Sequence, residues 1–160
     1  MIDELYSARI LRLAANLPHS GRLEAPEGTG ERVAKLCGSK AIVDVTLDET
    51  ARVLTFAQDV KACALGQAAA GVLGEAVIGA TLDEIVAARD AMAAMLKAGD
   101  EGPTGRFEGL RALKQVADYP ARHASTMVAI EATLDAVRQA QGRPVTRDRA
   151  DTRTSLAGAA

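Results

Sequence analysis

The stretch AIVDVTLDETARVLTFAQDVKACALGQAAAGVLGEAVIG, residues 41–79, decides the fold, because the spacing of its apolar residues changes once along it. Ala41, Val43, Val45 and Leu47 alternate with Ile42, Asp44 and Thr46, the period of a strand with one well-buried face. Asp48-Glu49-Thr50 reads as a hairpin turn, and residues 51–60 as the returning strand, with Leu54 and Phe56 on one face. From Ala62 the period turns helical, and Leu65, Ala69, Val72, Leu73, Ala76 and Val77 form one stripe. Gly66, Gly71 and Gly74 each cost such a helix about 1 kcal/mol relative to Ala. Tertiary packing must offset that cost, and glycines allow a close approach. Gly79 ends the helix.

Working outward, residues 32–37 are predicted to be the first of three strands. A turn-rich stretch, Pro18-His19-Ser20-Gly21 and then residues 26–30, separates it from an opening helix over residues 2–17. That helix places Ile2, Leu5, Tyr6, Ile10, Leu13 and Leu17 at helical spacing. Downstream, Thr81-Leu82-Asp83-Glu84 has the form of a capping box and starts a helix reaching about Ala98. A loop follows over 99–105, then a short helix over 107–116. The last helix begins near Pro120, a favoured first-turn residue, with Met127, Ile130, Leu134 and Val137 as its stripe. The order predicts an α+β domain over residues 1–140: a three-stranded antiparallel sheet with helices mainly on one face, an N-terminal helix and a long C-terminal one. Residues 141–160 mix Arg and Asp without apolar period, and a disordered tail is expected there.

The apolar share is 48%, but there is no Trp, with two Phe and two Tyr, so Ala, Val and Leu must build the core. Each large side chain then matters more, and Leu54, Phe56, Ile130 and Leu134 are the expected core residues. A net charge of -2 and a pI near 5.7 offer no basic face for nucleic acid. No apolar stretch approaches the roughly 20 residues that span a bilayer. The acidic start MIDELYSARILRL lacks the basic opening of a signal peptide, so the expected location is the cytoplasm. There the two cysteines, Cys37 and Cys63, are expected as free thiols. No Cys-x-x-Cys pair, Ser-His-Asp order, phosphate loop or His-Glu-x-x-His motif supports an enzyme.

Three segments, each at an expected element boundary, carry a resemblance. They are Leu36-Cys37-Gly38-Ser39, Val60-Lys61-Ala62-Cys63-Ala64-Leu65-Gly66-Gln67 and Tyr119-Pro120-Ala121-Arg122-His123-Ala124-Ser125. In that order, and with Asn16 and Gly21-Arg22-Leu23 after the first helix, they resemble the U-type iron–sulfur cluster assembly scaffolds, IscU, SufU and the N-terminal domain of NifU. The extra segment before Tyr119, with Gly109-Leu110 and Val116, is similar to the SufU-like branch. The resemblance implies a scaffold rather than an enzyme, with a cysteine desulfurase and recipient iron–sulfur proteins as partners. It also implies an iron–sulfur cluster or zinc bound at positions 37, 39, 63 and 125. The family's first and second cysteines fall on Cys37 and Cys63. Its aspartate falls on Ser39, and its third cysteine on Ser125.

That donor set departs from the family's. Zinc prefers four thiolate, imidazole or carboxylate ligands, and a [2Fe–2S] cluster also wants four anionic or imidazole donors. Serine at 39 and 125 removes two negative charges. His123, two residues before Ser125, is a candidate substitute ligand, as are thiols from a second protomer or a small molecule. Cys63 at a helix N-terminus near Lys61 is expected to have a depressed pKa and to be the candidate persulfide acceptor. Cys37 and Cys63 are expected to face each other. Arg122 reads equally as a site contact or a solvated helix-start residue, and His19 as a loop residue. Two functions lead, a scaffold or sulfur acceptor with half its ligands and a metal-free protein-binding module of the same fold; a third, a thiol oxidoreductase using Cys37 and Cys63, lacks a Cys-x-x-Cys motif.

Overall fold

The computed structural model describes residues 7–142; the beginning of the predicted first helix and the predicted tail from 143 onward lie outside the described residues. The alternation of residues 41–47 is realised as the middle strand of the sheet. Helix α1 (Ala8–Ala15) precedes strands β1 (Gly28–Ala34), β2 (Ser39–Leu47) and β3 (Val53–Lys61). Helices α2 (Ala64–Ala76) and α3 (Leu82–Ala98) follow, then a run of tight 3-10 turns over Gly105–Asp118. A single such turn at Pro120–Arg122 leads into α4 (His123–Ala140). The strands pair antiparallel in the order β1-β2-β3. The predicted α+β architecture is the one observed.

Ala41, Val43 and Val45 are completely buried on one face of β2. Helix α4 covers that face. It is buried almost all round, with Ser125 through Ile130 and Ala132 through Val137 inside, because β1 and β2 lie on one side of it and α2 and α3 on the other. Phe56, Ile130 and Leu134 are core residues as expected. Leu54 is not: it is 55% exposed. Thr46 pairs with Thr55 but Leu47 with Val53, so Leu54 is the extra residue of a bulge and is turned out of the core. The first strand also differs from expectation. It begins at Gly28 and stops at Ala34, leaving Lys35-Leu36-Cys37-Gly38 as the turn into β2. Gly28 and Gly30 explain the earlier start, since only a strand without side chains there can lie this close to α4. A Cβ on Gly30 would sit 2.1 Å from the Ala132 carbonyl oxygen.

The remaining boundaries have local causes. The capping box at Thr81 forms as written: its hydroxyl accepts from the Glu84 N–H and the Glu84 carboxylate accepts from the Thr81 N–H. Gly99 in the left-handed conformation closes α3. α2 stops at Ala76, just short of the Gly79 expected to end it. The segment expected as a short helix over 107–116 is a longer 3-10 run whose Phe107, Leu110, Leu113 and Val116 are buried. The free edge of β3 is covered by the loop after α1, where the Gln58 N–H donates to His19 and the Gly21 N–H to Gln58.

Two buried carboxylates tie distant segments together. On the outer face of β2, Asp44 is fully buried and accepts from Arg22 Nε at 2.6 Å, the Leu23 N–H at 3.0 Å and the Thr29 hydroxyl at 2.7 Å. Burial pushes this carboxyl up, but the Arg22, Thr29 and Leu23 hydrogen bonds outweigh it and hold it below the ordinary aspartate value. A carboxyl depressed on folding stabilises the fold fully above its unfolded pKa, about 3.9 for aspartate. That stability is lost as pH falls below this value through the lower, folded one. Asp44→Asn is therefore expected to lower the melting temperature at neutral pH. The gap to the unmodified protein should close as pH drops below the aspartate range, and a gap constant across a pH series of thermal melts would contradict this. The second carboxylate, Asp135 of α4, is also fully buried and is held by Arg32 of β1 through Nε at 2.6 Å and Nη2 at 3.2 Å.

Candidate functional site

Three chain segments converge at the end of the sheet where β2 begins and β3 ends. The turn before β2 carries Cys37, and its Gly38 takes a left-handed φ of 74° that swings the chain into Ser39, the first residue of β2. Across the sheet, Lys40 pairs with Lys61, the last residue of β3. Two residues on, Cys63 is the N-cap of α2. The Gln67 side chain ties this junction down by donating to the Val60 carbonyl at 2.9 Å. The start of α4 then brings Ser125 against the first turn of α2. The approach is so close that a Cβ on Gly66 would lie 2.7 Å from the Ser125 carbonyl oxygen. This is the physical reason for the first of the three helix glycines.

The four residues expected at the site do meet. Cys37 Sγ lies 3.1 Å from Ser39 Oγ, and Cys63 Sγ lies 3.5 Å from Ser125 Oγ. The Ser125 hydroxyl also acts on the Cys37 thiol, which sets the two pairs side by side. Ser125 donates to the Arg122 carbonyl at 3.1 Å, and Thr126 to the same carbonyl at 2.7 Å. The two hydroxyls are nearly inaccessible, Ser39 at 3% and Ser125 at 1% exposure. Cys37 is exposed and Cys63 half-buried, and both are free thiols. The serines therefore form the floor of the site and the sulfurs its rim.

The Cys37 thiol is pushed below the ordinary cysteine value. Hydrogen bonds from the Ser39 side chain and backbone do most of this, against a small opposing effect of burial. The Ser125 hydroxyl and the positive charge of Arg122 add to it. A thiolate is the nucleophilic form of cysteine, and Cys37 is the exposed sulfur of the two. Arg122 thus takes part in the site's electrostatics. Lys61, expected to assist Cys63, is exposed at the end of β3.

The expected substitutes sit elsewhere. His123 Nε2 is 2.9 Å from the Val116 carbonyl and 3.3 Å from that of Ala117. Carbonyls only accept, so this nitrogen carries the proton and pins the 3-10 run to α4, away from the thiols. His19 stacks edge-on against Phe56, with ring centroids 5.9 Å apart. Among the described residues no three His, Cys, Asp or Glu side chains gather into a metal-binding group. Two thiols and two buried hydroxyls fall short of the four donors that zinc or a [2Fe–2S] cluster takes. The described residues alone do not fit either group. No described helix is long and apolar enough to cross a membrane.

Comparison with known proteins places this geometry in a family. Residues 5–126 match the family model described as the NifU-like N-terminal domain. The chain is similar to the N-terminal part of a nitrogen-fixing NifU-like protein from Brucella abortus, with 45% identity, 88% of this chain and 96% of that chain covered, and a TM-score of 0.84. It shares its fold with a protein assigned as an iron–sulfur cluster assembly scaffold of the SUF system from Fervidobacterium islandicum AW-1. There the identity is 20%, coverage 83% of this chain and 96% of that one, and the TM-score 0.75. A search of curated proteins finds no match. With the family model spanning the sheet, the first three helices and all four site positions, this chain belongs to the NifU-like N-terminal domain family of U-type scaffolds.

Proposed function

We propose that the chain serves iron–sulfur cluster assembly as a sulfur acceptor that does not complete a metal site from its own residues. The observation that supports this is the meeting of Cys37, Ser39, Cys63 and Ser125, in which the exposed thiol is the one held low. The family supplies the process; scaffolds of this kind are not enzymes. The donor is a cysteine desulfurase carrying a persulfide, and the recipients are iron–sulfur proteins downstream. The ordered segment Gly105–Asp118 supports the SufU-like branch.

Cys37 is a better acceptor than Cys63, the residue favoured on sequence. Its thiolate attacks the outer sulfur of the donor's persulfide. A new S–S bond forms on Cys37, the donor's S–S bond breaks, and the donor leaves as a thiolate. Cys63, half-buried against Ser125, is less open to a protein donor.

Incubation with a cysteine desulfurase and free cysteine is expected to add the mass of one sulfur to the peptide bearing Cys37. Cys37→Ser should abolish the addition. Protein purified without chelator is expected to hold far less than one zinc or iron per chain. An unmodified Cys37 would sink the acceptor reading and favour the metal-free binding module. Stoichiometric metal lost on Cys37→Ser would instead restore the scaffold with outside ligands.

A further inference from the structure

Two cysteines, each beside a serine hydroxyl, gather at the end of the sheet where Lys40 of β2 pairs with Lys61 of β3. Cys63 Sγ is 3.5 Å from Ser125 Oγ, Cys37 Sγ is 3.1 Å from Ser39 Oγ, and the Ser125 hydroxyl also acts on the Cys37 thiol. The turn carrying Cys37 is exposed from Lys35 to Gly38, and no atom lies within 4 Å of where a Gly38 side chain would be. Cys63 is fixed by contrast, as the N-cap of a helix whose first turn is clamped between Val60 and Ser125. One thiol is thus exposed on an open turn, the other anchored and half-buried. That is the division of labour between an attacking and a resolving cysteine.

We propose that Cys63 resolves a persulfide on Cys37, releasing the accepted sulfur as sulfide and leaving a Cys37–Cys63 disulfide. The inference rests on the sulfur-acceptor reading and adds what becomes of the sulfur. The Cys63 thiolate attacks Cys37 Sγ, the inner sulfur. A Cys37–Cys63 bond of about 2 Å forms. The bond between Cys37 and the outer sulfur breaks, and that sulfur leaves with the electron pair as hydrosulfide. Two thiol sulfurs are oxidised by one electron each, and the sulfane sulfur is reduced by two, so no outside oxidant enters. The proton from Cys63 goes to solvent or to the departing sulfide. Ser125 Oγ, 3.5 Å from Cys63 Sγ, holds the anchored sulfur in place. A dithiol reductant then restores both thiols for another round. A site with three thiolates and a carboxylate would retain the metal and keep the sulfurs coordinated. Serine at 39 and 125 frees both cysteines for exchange chemistry.

The test separates this step from the first by loading the full chain with inorganic polysulfide, without any desulfurase. After desalting, the unmodified protein is expected to release a stoichiometric burst of sulfide as the Cys37–Cys63 linked peptide appears in non-reducing mass spectrometry. Cys63→Ser and Cys63→Ala should each keep the persulfide on Cys37 and lose the burst. Release from both variants at the unmodified rate, or migration of the sulfur to Cys63 without sulfide release, would overturn the resolving role. The acceptor role would survive either result. Failure of Cys37 to take sulfur from desulfurase and polysulfide alike would overturn both.

Discussion

Gly30→Ala is expected to cost the fold about 3 kcal/mol or more, enough to bring a domain of ordinary stability close to unfolding. Intrinsic preference argues the other way. Gly30 is not at a positive φ, and within a strand Ala normally outperforms Gly by about 0.5–1 kcal/mol. Packing decides the sign. A Cβ there would lie 2.1 Å from the Ala132 oxygen and 2.8 Å from the Ala136 nitrogen. Both are backbone atoms of α4, so no rotamer change relieves the clash. β1 and α4 must separate, and with them the contact that buries the sheet. Gly38→Ala is the contrast, since it incurs only left-handed strain of about 1–2 kcal/mol and meets no neighbouring atom. Urea unfolding followed by circular dichroism checks the pair. A Gly30→Ala midpoint at or above that of the unmodified protein would show that α4 lies farther from β1 than described.

Arg32→Ala is expected to cost about 3–5 kcal/mol, the range for breaking one side of a buried ion pair. Asp135 is inaccessible, and Arg32 supplies both of its hydrogen bonds at 2.6 and 3.2 Å. Removing the guanidinium takes away the two hydrogen bonds that hold this carboxylate inside the molecule. Glu131, one turn earlier on α4, worsens this. Burial already pushes its carboxyl up, Arg32 is the first charge pulling it down, and Asp135 pushes it further up. Replacing both partners by apolar residues, Arg32→Met with Asp135→Leu, should recover much of the loss, because the cost lies in the orphaned charge. A double-mutant cycle on denaturation midpoints decides the matter. A double variant as unstable as the sum of the two singles would show that the pair acts independently.

These two effects lie where local patterns are silent. The alternation at residues 41–47, the capping box at Thr81 and the stripe Met127, Ile130, Leu134 and Val137 were all legible, because each arises from neighbours in the chain. Leu54 misled, since alternation carries no mark of a bulge whose cause is pairing with Leu47 and Thr46. Gly28 and Gly30 read as turn residues, whereas their role is contact with a helix about a hundred positions away. The buried Asp44 and Asp135 look in sequence like any solvated carboxylate. At the site, family resemblance named positions 37, 39, 63 and 125. It could not say which thiol is exposed, nor that His123 is spent on the Val116 carbonyl.

Read alone, the residue order establishes the strand and helix content, the family and the replacement of two ligands by serine, since these are matters of periodicity and residue identity. Which sulfur is open and lowered, and that a buried hydroxyl of α4 meets Cys63, emerges only once α4 is packed against the sheet and α2. Exposure and through-space hydrogen bonds depend on atoms that sequence distance keeps apart, and no local rule encodes them.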